Sequence, residues 1–163
     1  MVHSIVDMGS SATITGESET SYAYSAGNGY IQSMATLNAP SSVNPGGLGA
    51  VITSGANMGS TIVRRSFLSA SNASGSGNSI LRRYNITPTN NTGLNATLRF
   101  QYLDAELNGL DESSLVLWRS TDDIHWTSMG FNARNTATNY VELAGINSFS
   151  SWDIINGIEY FAG

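Results

Sequence analysis

Apolar and polar residues alternate with a period of two through most of this chain, and no window carries convincing amphipathic-helix spacing. The clearest strand is "NATLRFQYL", in which Ala96, Leu98, Phe100 and Tyr102 share one face while Thr97, Arg99 and Gln101 share the other. "SSLVLWRS" is the next clearest; its consecutive Leu115, Val116, Leu117 and Trp118 predict burial on both faces. Further strands are predicted in "GYIQSMATL", "GAVITS", "STIVRRSFLSA", "NSILRRYNI", "IHWTSMGF", "TNYVEL" and "SFSSWDI". Turn-forming stretches such as "APSSVNPGG", "SNASGSGN" and "LNGLDES" separate them. About ten short strands at this spacing predict an all-β, two-sheet antiparallel β-sandwich, Ig-like or jelly-roll-like, with a closed barrel as the second choice.

With 163 residues the chain suits a single domain spanning 1–163 with a sizeable core. Charged residues make up 12% of it, about half the usual quarter, yet hydrophobic residues reach 40%. This is an uncharged polar surface over a real core. The net charge is -5 and all seven basic residues are arginine, so no stretch follows a phosphate backbone or an anionic bilayer, and nucleic acid is not an expected partner. Membrane insertion is not expected either, because no apolar run is long enough to span a bilayer. Lysine and cysteine are both absent, which excludes Schiff-base chemistry, disulfides and thiolate metal sites. The start, "MVHSIVDMGSSATITG", lacks the basic region and long apolar stretch of a signal peptide, so either the protein is not exported or, the preferred reading, Met1 opens a mature fragment of an exported protein.

Chemistry is sparse. The only histidines are His3 and His125, and no G-x-S-x-G stretch exists, so no Ser-His-Asp, two-histidine zinc or paired-carboxylate site is supported and an enzyme is not expected. The loop in "RRYNITPTNNTGLNATLRFQY" contains sequons beginning at Asn85, Asn90 and Asn95, with another at Asn72, but Pro88, Asn90, Asn91 and Gly93 are turn formers and the stretch reads as a wide turn. In "DAELNGLDE", Asp104, Glu106 and Asn108 followed by Gly109 imitate the first half of a calcium loop. Leu115 then stands where the bidentate Glu belongs, so Asp111 and Glu112 would have to substitute; calcium is the one cofactor considered, against a solvated turn. "RSTDDIHW" has the look of a turn in which Asp122 accepts backbone N–H bonds and a following tryptophan packs beneath.

Two arginine pairs, Arg64-Arg65 and Arg82-Arg83, fall in separate predicted strands, so each pair should send one guanidinium outward and one toward the core. The inward one needs a carboxylate or carbonyl partner; an anion site is the functional reading, and a structural ion pair, with Asp104, Glu106 and Asp122 nearby in sequence, is the favoured one. Among the aromatics, Trp118 reads as core, whereas Trp126 and Trp152 are candidates for a sugar-stacking platform together with tyrosines such as Tyr22, Tyr24 and Tyr30.

The stretches "GGLGAVITSGANMGSTIVRR", "SILRRYNITPTNNTGLNATLRFQYLDAELNGLDESSLVLWRSTDDIHWTSMGF" and "RNTATNYVELAGINSFSSW", within about residues 47–152, carry a resemblance. The region resembles an all-β module of large secreted and cell-surface adhesin-like proteins of Bacteroidetes-type bacteria. That resemblance implies a non-enzymatic, extracellular structural or adhesive module, exported; the partners expected are other surface modules or copies of itself, with glycans considered for the aromatic residues. The terminal segments 1–16 and 153–163 include strand-like "HSIVDM" and "WDIINGIEYF"; Ile154, Ile155, Ile158, Tyr160 and Phe161 are candidates to pair with a neighbouring subunit and build a filament by strand exchange. The alternative is a carbohydrate-binding module.

Overall fold

The computed structural model describes residues 4–71 and 77–157. Among the described residues eleven strands form a two-sheet β-sandwich, as the alternation predicts. The larger sheet has seven strands in the order β1-β2-β4-β5-β11-β7-β8 and the smaller has four in the order β3-β6-β10-β9. In chain order they are β1 (Ile5–Asp7), β2 (Tyr30–Asn38), β3 (Ala50–Thr53), β4 (Asn57–Ser66), β5 (Arg83–Pro88), β6 (Ala96–Gln101), β7 (Leu115–Ser120), β8 (Thr127–Gly130), β9 (Ala133–Asn135), β10 (Tyr140–Ile146) and β11 (Ser151–Asn156).

Pairing is antiparallel except at one edge, where β1 runs parallel to β2 with Ile5 opposite Tyr30. The short β9, which the pattern did not reveal, has three half-buried residues and is held by pairing with β10. Three residues are too few for a period to be seen.

Burial follows the predicted alternation. Ala96, Leu98 and Phe100 of β6 are fully buried and Tyr102 nearly so, while Thr97, Arg99 and Gln101 are partly exposed. These side chains meet Ile31, Val63, Tyr84, Ile86, Trp152 and Ile154 of the larger sheet in one core. Tyr84 packs edge-on against Phe100, with ring centroids 4.5 Å apart. The doubly buried run in β7 has a second cause. Leu115 and Leu117 belong to the inter-sheet core, whereas Val116 and Trp118 join Ala70, Trp126 and Ile155 in a smaller cluster on the outer face. That outer cluster explains why β11 is buried on both sides too.

Two of the C-terminal candidates for strand exchange, Ile154 and Ile155, are used within the chain's own sheet. Ile154 and Ile155 are 0% exposed and lie in β11, hydrogen-bonded between β5 and β7 in the middle of the larger sheet. An interior strand buried on both faces is not spare for a neighbour. Ile158, Tyr160 and Phe161 lie outside the described residues. At the other end β1 pairs with its own chain, yet it is an edge strand and Ile5 is 56% exposed.

The wide turn before β6 forms as expected. Thr89 and Asn90 donate backbone N–H bonds to Ser60 and Met58, and Gly93 and Asn95 take positive φ. Asn91 does more than turn the chain: its Oδ1 accepts from Phe149 N–H (2.7 Å) and its Nδ2 donates to Phe149 C=O (3.0 Å), pinning the approach to β11. The sequon at Asn72 lies outside the described residues.

Candidate functional site

The two arginine pairs land on adjacent antiparallel strands, with Arg65 opposite Tyr84, Arg64 opposite Asn85 and Ser66 opposite Arg83. One arginine of each pair points inward, as predicted. Arg65 donates to both carboxylate oxygens of Glu17 at 2.9 and 2.8 Å, and to the carbonyls of Leu48 and Ala23. Arg82, just ahead of β5, pairs with Glu106 at 2.8 Å and donates to the Tyr84 hydroxyl and the Gln101 carbonyl. Tyr84 in turn donates to Leu48 C=O. Burial raises the Glu106 carboxyl above its ordinary value despite the charge on Arg82. At Glu17 burial pulls the same way, but bonds from Arg65 and the Ala23 N–H outweigh it and hold the carboxyl low. Gly49 closes the network: at φ +96°, an added Cβ would stand 2.4 Å from the Tyr84 hydroxyl.

This network corrects the calcium expectation. Glu106 is buried and committed to Arg82 and to the Leu103 N–H. Asp104 accepts from Asn139 at 2.8 Å, Asn108 donates to Ser79 C=O, Asp111 caps Ser113, and Glu112 accepts from the Tyr102 hydroxyl. The five side chains thus serve separate partners, and among the described residues no group of three or more His, Asp or Glu is gathered for a metal.

The stacking platform is also corrected. Trp152 is 0% exposed in the main core and Trp126 is 4% exposed in the outer cluster, so neither indole offers a face to a sugar. Trp126 covers Arg83 instead, whose guanidinium lies 4.8 Å from its ring centroid and reaches Asp153 at 3.3 Å. Asp153 is fully buried, and burial pushes its carboxyl up to about 7 against the opposing pull of Arg83.

The turn from Ser120 to Trp126 is built as its sequence predicts. Asp122 Oδ1 accepts from the backbone N–H groups of Ile124 (2.9 Å) and His125 (2.8 Å), and Ser120 Oγ accepts from that of Asp123 (2.8 Å). Asp123 sits at φ +61°, a backbone shape that glycine adopts most readily. The His125 imidazole contacts Asp122 Oδ2 at 2.7 Å, while Ser120 Oγ donates to the opposite oxygen. The carboxylate therefore stands between serine and histidine, which organises a turn and does not activate a nucleophile. His3 lies outside the described residues.

Two surfaces remain. On the outer face of the larger sheet, Asp7, Gln32, Arg64, Asn85, Ser151 and Ser120 form one transverse row across six strands. Beside it lies a pocket of about 220 Å³ lined by Tyr30, Arg64, Arg83, Asn85 and Asp123. Arg64 donates to Gln32 (2.8 Å) and lies over the Tyr30 ring. Asp123 on the lining and buried Asp153 offset the two arginines. The second surface is a cleft between the sheets beside β8, made of adjoining pockets of about 330 and 360 Å³ that share Arg119 and Met129. Sequence reasoning missed it as a site: the "RSTDDIHW" turn and Trp152 were singled out separately, and nothing local shows that they join β7, β8, β10 and the approach to β11 around one cleft.

No family model, curated protein or solved structure matches the chain.

Proposed function

We propose that the chain is a non-enzymatic structural and adhesive β-sandwich module of the bacterial exterior, belonging to an exported surface or secreted protein. The observation that carries the reading is the use made of its few charges. All seven arginines are tied to partners within the chain: four to carboxylates, the others to an amide, serine hydroxyls or a carbonyl. Such ties brace segments far apart in sequence and leave a surface of hydroxyl and amide side chains with scattered carboxylates such as Asp7, Asp104 and Asp111, a composition suited to holding shape and making contacts. The resemblance over residues 47–152 points the same way.

A filament built by exchanging β11 is not part of this proposal, since that strand completes its own sheet. The test is adhesion by the full chain coupled to beads. Retention under flow on a polysaccharide coating, with no release of reducing sugar, is the expected result. A folded chain that retains beads on no polysaccharide coating, or that cleaves one, would overturn the reading.

A further inference from the structure

Two backbone irregularities face each other across the cleft beside β8. In the β7–β8 pair, Leu117 is opposite Gly130 but Trp118 is opposite Ser128, so Met129 is an extra residue. In the β10–β6 pair, Leu143 is opposite Leu98 and Ile146 opposite Ala96, which puts an extra residue at Ala144–Gly145, with Gly145 at φ +73°. Met129, Ala144 and Gly145 all line the same pocket. Bulges recur where a strand must re-aim side chains beside a binding site, and these two set the walls of one cleft.

Between the bulges stands Arg119. Its Nε donates to Ser150 Oγ and its Nη2 to Ser148 Oγ, both at 2.8 Å, and the guanidinium lies 5.8 Å from the Trp152 ring centroid. Two serines orient the planar fork without neutralising it. Neither pocket lining contains a carboxylate among the described residues, and Asp122 is occupied by His125 and by the backbone of its own turn. The cleft therefore presents one fixed, uncompensated cation. A planar guanidinium with spare N–H groups is matched by a carboxylate.

The rest of the lining describes what carries that carboxylate. Met129, Leu143 and Ile146 supply apolar surface for C–H faces, while Thr121, Thr127, Asn147 and Ser148 supply hydroxyl and amide partners. A peptide adding a strand along the β8 edge is disfavoured, because the Met129 bulge interrupts the ladder at that edge. We propose that the Arg119 cleft binds acidic glycans, with a uronate carboxylate on Arg119 and the sugar ring against Met129 and Leu143. The inference rests on the adhesive reading for its setting and supplies that reading with a ligand class.

The test is calorimetric titration of the full chain with tetragalacturonate and, separately, with an uncharged galactose tetramer. Wild type should bind the acidic oligomer at least about tenfold more tightly, and the preference should shrink at high salt. Arg119→Gln should lose that preference. Thr127→Glu places a carboxylate at an exposed lining position and should abolish binding by repulsion with the melting temperature unchanged, so the answer does not hang on whether Arg119→Gln folds. Equal affinity for the two oligomers, no binding of the acidic one, or unaltered binding by Thr127→Glu would each overturn the inference. Bead retention on a neutral polysaccharide alongside any of those results would leave the adhesive reading standing and remove only this ligand.

Discussion

Arg82 and Arg119 are the same residue type in one sandwich, put to opposite uses. Arg82 is buried against Glu106, Tyr84 and the Gln101 carbonyl, so its charge is consumed as a brace where the 3₁₀ turn Asp104–Glu106 meets the start of β5. Arg119 is held by two serine hydroxyls at the edge of an open cleft, so its geometry is set while its charge stays available. A buried ion pair costs desolvation that its Coulomb attraction only partly offsets, and removing one partner strands the other. A cation held by neutral donors carries no such dependence. Fixation and neutralisation are separable, and this fold uses both together at one site and only the first at the other.

The largest effect should come from breaking the brace. Glu106→Ala would leave Arg82 buried without its carboxylate and should cost about 3–5 kcal/mol in denaturant unfolding. A loss below about 1 kcal/mol would mean that Tyr84 and the Gln101 carbonyl suffice. Next is Gly49→Ala, which forces a Cβ onto the Tyr84 hydroxyl from a positive-φ position and should cost about 2–3 kcal/mol by the same measurement. If it costs nothing, the network is looser than its hydrogen bonds imply.

Asp153 sharpens the comparison through pH. Its folded carboxyl is raised by burial from an ordinary 3.8 to about 7, so across that window the folded chain keeps a proton that the unfolded chain releases. Stability should therefore fall steadily as pH rises from about 4 to about 7, then level off as far as this group is concerned. Asp153→Asn should flatten that slope, read from unfolding midpoints at several pH values. An unchanged slope would assign it to another carboxyl raised by burial, Glu106 first among them. The smallest effect should be Arg119→Gln, which removes two hydrogen bonds at a partly exposed site and should shift stability by no more than about 1 kcal/mol. A loss as large as that of Glu106→Ala would erase the distinction between brace and cleft.

The strands were legible because the chain states them directly. "NATLRFQYL" alternates cleanly, and the four residues of its apolar face, Ala96, Leu98, Phe100 and Tyr102, are the buried ones. The arginine pairs were legible in part: adjacent strand residues must face opposite ways, which predicts one inward guanidinium per pair but not its partner. Glu17 lies 48 residues from Arg65 and Glu106 lies 24 from Arg82, separations at which nothing local connects them. The tryptophans misled for a related reason. Trp126 lies just ahead of β8, whose residues are largely exposed, and only the outer cluster with Trp118, Ala70 and Ile155 buries it. The acidic stretch from Asp104 to Glu112 has alternate-oxygen spacing, but Arg82 draws Glu106 into the interior, and no spacing rule anticipates a competing cation.

What the sequence determined alone is therefore the local: an all-β chain, its strand alternation, the Asp122 turn and the wide turn before β6. Each depends on residues within a few positions of one another, where backbone geometry leaves little choice. Tertiary structure decided the rest: β11 as an interior strand, which arginines found carboxylates, and the opposition of two bulges around Arg119. Those outcomes turn on strand order and register, which bring together residues tens of positions apart, and many alternating sequences are compatible with more than one order.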